Sequence, residues 1–124
     1  MKLRNSSLTQ KLMIGGKYLR NRMTGRPLLV TIEMTQFCNA GCDFCNCWKT
    51  EISPKLGDYV DIVKTLKPMV LALTGGEPMI RKDLPKIIRE IKESSNWIYV
   101  YMVTNGSLLT EEKADELFDA GLDQ

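Results

Sequence analysis

The sequence has 124 residues, of which 44% are hydrophobic and 26% charged, and a formal net charge of +2, a balance expected of one globular domain. It contains no histidine, which excludes Ser-His-Asp and Cys-His nucleophilic machinery and every mixed Cys/His metal site. No apolar run approaches the roughly 20 residues that cross a bilayer, and the N-terminus lacks the apolar core and cleavage site of a signal peptide, so no transmembrane segment and a reducing cytoplasmic setting are expected.

Charge is unevenly distributed along the chain. Residues 1 to 32 carry seven basic side chains (Lys2, Arg4, Lys11, Lys17, Arg20, Arg22 and Arg26) and no acid, whereas the remainder holds ten basic and fifteen acidic residues. A basic arm can meet phosphate or an anionic surface. Leu8, Leu12, Leu19 and Met23, however, fall on one helical stripe broken at Gly15-Gly16, which predicts a basic helical extension over residues 1–26, a helix or helix pair packed against the domain. From Arg26-Pro27 onward, short β-branched runs alternate with helical patterns, the signature of successive βα units on a parallel sheet. Leu28 to Met34 is the first predicted strand; whether Glu33 faces a site or solvent is open at this level.

Directly after it, Cys38, Cys42 and Cys45 place three thiols within eight residues. Iron-sulfur clusters are normally held by four thiolates. A three-cysteine set therefore predicts a cluster with one iron left for a small molecule, and a reaction centre there. Four thiols including Cys47 could instead hold a structural zinc, although zinc sites usually pair two claws across a longer loop. A disulfide framework is disfavoured by the missing signal peptide and the βα context. Cys47 as a fourth ligand would close the vacant iron, and it is read as a neighbouring or structural thiol.

A helix is expected to open at Ser53-Pro54, carry Leu56, Val60, Val63 and Leu66, and stop at Pro68. The second strand, Met69 to Thr74, runs into Gly75-Gly76-Glu77-Pro78. Asp83 is the expected cap of the next helix, with Leu84, Ile87, Ile88 and Ile91 as its buried stripe. The third strand, Trp97 to Val103, runs into Thr104-Asn105-Gly106. Thr110 is the expected cap of the last helix, with Ala114, Leu117 and Phe118 facing inward and Gly121 as its stop. The near-continuous apolar strands suggest a sheet covered on both faces. A fourth strand would begin at Leu122-Asp123, so the third strand is expected to present an open edge.

Three motifs in this order, each following a strand, closely resemble the radical S-adenosylmethionine (SAM) superfamily: the CxxxCxxC of Cys38, Cys42 and Cys45 with Phe44 before the last cysteine, the GGEP segment, and the Thr-Asn-Gly turn. The likeness covers roughly residues 28 to 122. It implies an α/β fold, a partial (β/α) barrel of which about three βα units are present, with residues 27–124 as the N-terminal half of a truncated catalytic domain. It also implies that the three cysteines bind a 4Fe-4S cluster, that SAM completes the coordination, and that one-electron cleavage of SAM yields a 5′-deoxyadenosyl radical which abstracts hydrogen from a substrate. The electron would come from a donor such as flavodoxin or ferredoxin; no nucleic-acid partner is indicated. By the same resemblance Phe44 would lie beside the adenine, and Gly75, Gly76 or Glu77 would accept from the SAM amino group. Pro78 would stiffen the turn, and Asn105 would meet the ribose or carboxylate. Each has a plainer reading: loop packing for Phe44, a strand-to-helix turn for the Gly-Gly-Pro segment, and a turn dipeptide for Asn-Gly. Asn39 and Thr35 are expected to shape the cysteine loop. A non-catalytic iron-sulfur, zinc-binding or electron-transfer module is the alternative function, disfavoured because a passive cluster needs no GGEP segment.

Overall fold

Three parallel strands in the order β1-β2-β3 form the sheet in the computed structural model, which describes residues 8–46, 49, 59–95 and 97–124. The elements are α1 (Leu8–Thr24), β1 (Leu29–Glu33), α2 (Tyr59–Leu66), β2 (Val70–Thr74), a 3-10 turn (Pro78–Ile80), α3 (Leu84–Ser94), β3 (Tyr99–Met102) and α4 (Glu111–Asp119). The helical segment and three βα units match the expected architecture, with each strand one to three residues shorter than its apolar run. Ser53, Pro54, Leu56 and Cys47 lie outside the described residues.

Register explains which side of the sheet is buried. Val30, Leu71 and Val100 align across the strands, as do Ile32, Leu73 and Met102. This face joins Val63 of α2, Ile87, Ile88 and Ile91 of α3 and Leu117 of α4 in one apolar core. The opposite face carries Leu29, 51% exposed, exposed Thr31 and Glu33, and half-buried Tyr99 and Tyr101 on the outer strands, whereas Ala72 of the central strand is buried. Among the described residues the expectation of two covered faces is therefore corrected for β1 and β3. An apolar run reports hydrophobicity on both sides of a strand but not whether both sides have a partner layer.

The predicted stripe of α1 is corrected in the same way. The helix runs unbroken through Gly15-Gly16, yet Leu8, Leu12, Leu19 and Met23 are 74%, 67%, 59% and 78% exposed. What ties α1 down is polar. Fully buried Asn21 donates from Nδ2 to the carbonyls of Pro27 (3.2 Å) and Lys67 (3.0 Å). Lys17 donates to the carbonyl of Trp97 and sits over its ring, 5.8 Å from the centroid.

Helix ends follow local chemistry with one exception. The α3 stripe of Leu84, Ile87, Ile88 and Ile91 is buried, but Asp83 makes no side-chain cap bond because both its oxygens accept from Arg81, at 2.9 and 2.7 Å. Thr110 Oγ1 accepts from the Lys113 amide and caps α4. At the other end Gly121, at φ +107°, allows its amide to bond the Phe118 carbonyl and the Leu122 amide to bond that of Leu117, a left-handed helix stop. Leu117 is buried, Ala114 half-buried, and Phe118, against expectation, 56% exposed.

The outer edge of β3 is not open. The Val100 amide donates to Asp123 Oδ2 (2.8 Å), the Asp123 amide to the Val100 carbonyl (2.8 Å) and the Met102 amide to the Gln124 carbonyl (2.8 Å). Lys92 clamps this segment by donating to Asp123 Oδ2 at 2.7 Å and the Ile98 carbonyl at 2.8 Å.

Candidate metal and cofactor site

The C-terminal ends of the three parallel strands point the same way, so the loops that follow them share one end of the sheet. Main-chain contact locks the first two loops together. Past β1, the Thr35 carbonyl accepts from the Gly76 amide (2.7 Å) and the Phe37 carbonyl from the Glu77 amide (2.9 Å). Thr35 is buried, and its Oγ1 accepts from the Phe37 amide at 3.1 Å, which turns the chain toward the cysteines. The need for two glycines is steric: a Cβ on Gly75 would lie 2.2 Å from the Thr35 carbonyl oxygen, and one on Gly76 2.1 Å from that of Phe37. Gly75 also sits at φ +133°. The close approach expected at these glycines is thus made in the first instance by the root of the cysteine loop.

Glu77 joins the third loop to the other two. Its side chain is fully buried; Oε1 accepts from the Met79 amide (2.9 Å) and Thr104 Oγ1 (2.8 Å), and Oε2 from the Asn105 amide (2.7 Å). A carboxylate has room for about four donors, so three are already supplied by the protein. Beside it Pro78 opens the 3-10 turn and is buried. Asn105 continues outward. Its Oδ1 accepts from the Ser107 amide (2.9 Å), while its Nδ2 donates to Asn39 Oδ1 (3.0 Å) and approaches Cys38 Sγ at 3.9 Å. Asn39 in turn donates to Ser107 Oγ at 2.9 Å. The shaping role expected of Asn39 and Thr35 is visible in these bonds.

The cysteine loop has no regular secondary structure beyond a turn in which the Cys45 amide donates to the Cys42 carbonyl at 3.1 Å. Cys38, Cys42 and Cys45 are half-buried, and none of them is in a disulfide. Cys38 Sγ accepts from the Ala40 amide at 3.5 Å. Among the described residues, no three Cys, Asp or Glu side chains are gathered tightly enough to hold a metal ion; the three sulfurs share one short loop without forming a closed ligand set. The donor chemistry nonetheless fits an iron-sulfur cluster, since thiolates are its ordinary ligands and none of these three is spent in a disulfide. Phe44 is 93% exposed, so loop packing does not account for it.

Two residues that sequence reasoning passed over brace this end of the sheet. Arg81 donates from Nη1 to the Met34 carbonyl (2.9 Å) and to the Tyr59 hydroxyl, and grips Asp83. The hydrogen bonds to Arg81 hold the Asp83 carboxyl below its ordinary value, and those to Asp83 hold the guanidinium above its own. Nothing in the spacing of Arg81 marked it. Ser107, two residues past Asn105, does fit the common Asx-turn pattern.

The model of the radical SAM superfamily matches residues 32–124. Over 108 residues the chain is 39% identical to a probable GTP 3′,8-cyclase of Metallosphaera sedula, an alignment covering 81% of this chain and 33% of that protein. Over 107 residues it is 33% identical to an AdoMet-dependent heme synthase of Methanosarcina barkeri, covering 81% and 30%. The chain therefore spans about a third of the length of the curated relatives it matches. Its fold is similar to that of BtrN in complex with AdoMet and 2-DOIA, with a TM-score of 0.69 at 19% identity, covering 79% of this chain and 44% of that one.

Proposed function

The chain belongs to the radical SAM superfamily, whose members use a 4Fe-4S cluster and SAM, and from that membership we propose that it is the cofactor-binding part of an enzyme that cleaves SAM reductively. Residues 27–124 are the N-terminal half of a partial barrel, and the basic residues 1–26, which include α1 (Leu8–Thr24), precede it. Cys38, Cys42 and Cys45 would hold the 4Fe-4S cluster through their thiolates. Phe44, Gly75, Gly76 and Asn105 line the place of SAM, and the buried Glu77 and Pro78 shape it from beneath.

When bound, cluster and SAM supply one-electron cleavage to a 5′-deoxyadenosyl radical that abstracts hydrogen from the substrate. The chain's own residues do the positioning. Phe44, unpacked at 93% exposure, offers an aromatic face to the adenine. The Gly75 and Gly76 carbonyls offer acceptors to the amino group, and Pro78 stiffens the turn that presents them. Glu77 holds the third loop in reach, and Asn105 carries its amide to the rim of the cysteine loop. A flavodoxin- or ferredoxin-type donor in the cytoplasm supplies the electron.

The observation that carries this reading is the bonding of all three loops into one unit through Gly76, Glu77 and Asn105. A passive metal loop has no need of it. Relatives named for different reactions, a GTP cyclase and a heme synthase, align over nearly the same length of this chain. That supports a role in the chemistry they share and leaves the substrate unassigned.

Anaerobic reconstitution of the chain, followed by electron paramagnetic resonance (EPR) of the reduced protein with and without SAM, tests the proposal. Iron and sulfide in 4Fe-4S ratio, a spectrum altered by SAM, and loss of the cluster in Cys38→Ala, Cys42→Ala and Cys45→Ala are expected. Zinc in place of iron, or a cluster that requires Cys47 and ignores SAM, would overturn it in favour of a fully ligated, non-catalytic module.

A further inference from the structure

We infer that Asn105 is a positioning residue for the cluster, its side-chain amide aimed at Cys38 so as to raise the potential at which the cluster accepts an electron. The inference rests on the proposed ligation by Cys38, Cys42 and Cys45. It goes beyond that ligation in giving Asn105 a second role, toward the sulfur.

The orientation of the amide is determined by its partners. Oδ1 accepts from the Ser107 amide at 2.9 Å, and only an oxygen can do so, which leaves Nδ2 facing Asn39 Oδ1 at 3.0 Å and Cys38 Sγ at 3.9 Å. The backbone at the same residue is held by the buried Glu77 carboxylate at 2.7 Å. Asn105 is thus restrained at its main chain and at both ends of its side-chain amide, and its N–H dipole cannot swing away from the sulfur without breaking a bond. Cys38 also receives the Ala40 amide at 3.5 Å.

Hydrogen bonds to ligating sulfurs and the polarity around them tune iron-sulfur potentials. Reduction adds negative charge to the cluster, part of which resides on sulfur. A fixed N–H dipole pointing at that sulfur favours the reduced state and makes the electron easier to deliver. Glu77 contributes at one remove by fixing the backbone of Asn105, which links the GGEP segment to the electronics of the cysteine loop.

The test is a potentiometric titration followed by EPR on the reconstituted full chain, without SAM, comparing wild type with Asn105→Ala and Asn105→Asp. Asn105→Ala is expected to retain iron and sulfide and to become harder to reduce, its reduced-to-oxidised ratio at a fixed potential falling about threefold to tenfold, where tenfold corresponds to about 59 mV for one electron. Asn105→Asp keeps the acceptor for the Ser107 amide and replaces the N–H with a carboxylate oxygen; it is expected to shift at least as far in the same direction. A purely structural role predicts the opposite ranking, because the isosteric Asp preserves the turn. A loaded Asn105→Ala protein with wild-type potential would overturn the inference. If that variant does not load, Asn105→Asp decides, an unchanged potential again refuting it. Should wild type itself fail to form a SAM-responsive cluster, the ligation proposal falls instead, so the two failures are distinct.

Discussion

Replacing Gly76 by alanine probes the joint on which the site depends. The new Cβ would lie 2.1 Å from the Phe37 carbonyl oxygen and 2.5 Å from its carbon. Both neighbours are main chain, so no side-chain rotation relieves the overlap. Reaching ordinary contact at 3.4 Å requires the two loops to part by about 1.3 Å. That would stretch the Gly76–Thr35 and Glu77–Phe37 bonds from 2.7 and 2.9 Å to about 4 Å, beyond hydrogen-bonding range. Two main-chain bonds at about 1 kcal/mol each, together with about 1–3 kcal/mol for overpacking, put the loss near 3–5 kcal/mol. Urea unfolding gives the stability change directly, and iron content after reconstitution reports whether the cysteine loop is still presented. Gly41→Ala is the internal comparison: it lies in the cysteine loop itself, its Cβ would meet nothing within 4 Å, and it should stay within about 0.5 kcal/mol of wild type. A Gly76→Ala protein as stable as Gly41→Ala would refute the close-approach reasoning.

Asn21→Ala removes the donor to the Pro27 and Lys67 carbonyls and should cost about 1–3 kcal/mol in urea unfolding, with earlier hydrogen exchange in α1. Because Arg81 holds the folded Asp83 carboxyl below its unfolded value, the pair contributes stability above about pH 4 that is lost as pH falls through the lower, folded value. Asp83 is 53% exposed at the side chain, so the contribution is at most about 1 kcal/mol, and Asp83→Asn should flatten the acid limb of a stability-versus-pH curve by that amount. Gly121→Ala forces an L residue to φ +107° with its Cβ 2.8 Å from Lys92 Cγ. It should cost about 1–3 kcal/mol and loosen the segment that covers the edge of β3, measurable as faster exchange of the Val100 and Met102 amides.

Local chemistry was legible wherever a residue type has few alternatives. Thr110 and Gly121 bound α4 as capping and left-handed stop preferences require, and Leu84, Ile87, Ile88 and Ile91 form a buried stripe because helical periodicity leaves them on one face. The cysteine spacing, the glycine pair and the Asn-Gly turn were all visible for the same reason: each is a run of consecutive residues whose chemistry is set at short range. What the pattern could not reveal was the identity of partners. The apolar stripe of α1 and Phe118 of α4 have the right periodicity and are exposed, since burial requires an opposing surface that periodicity does not describe.

Asp83 is a good helix-capping residue by type, yet Arg81 takes both its oxygens, a competition decided by where the chain brings a guanidinium. Glu77 and Asn105 show the same division of labour. Their presence in motifs is a property of the linear chain, but the bonds from Glu77 to Thr104 and Asn105 and from Asn105 to Asn39 and Cys38 span 27 to 67 residues. Parallel strands place those loops at one end of the sheet, and only that juxtaposition turns a buried carboxylate and a turn asparagine into the brace of a cysteine loop. Short-range chemistry is carried by adjacent residues and survives in one dimension; the choice of partner among distant groups depends on strand order and register, which exist only once the chain has folded.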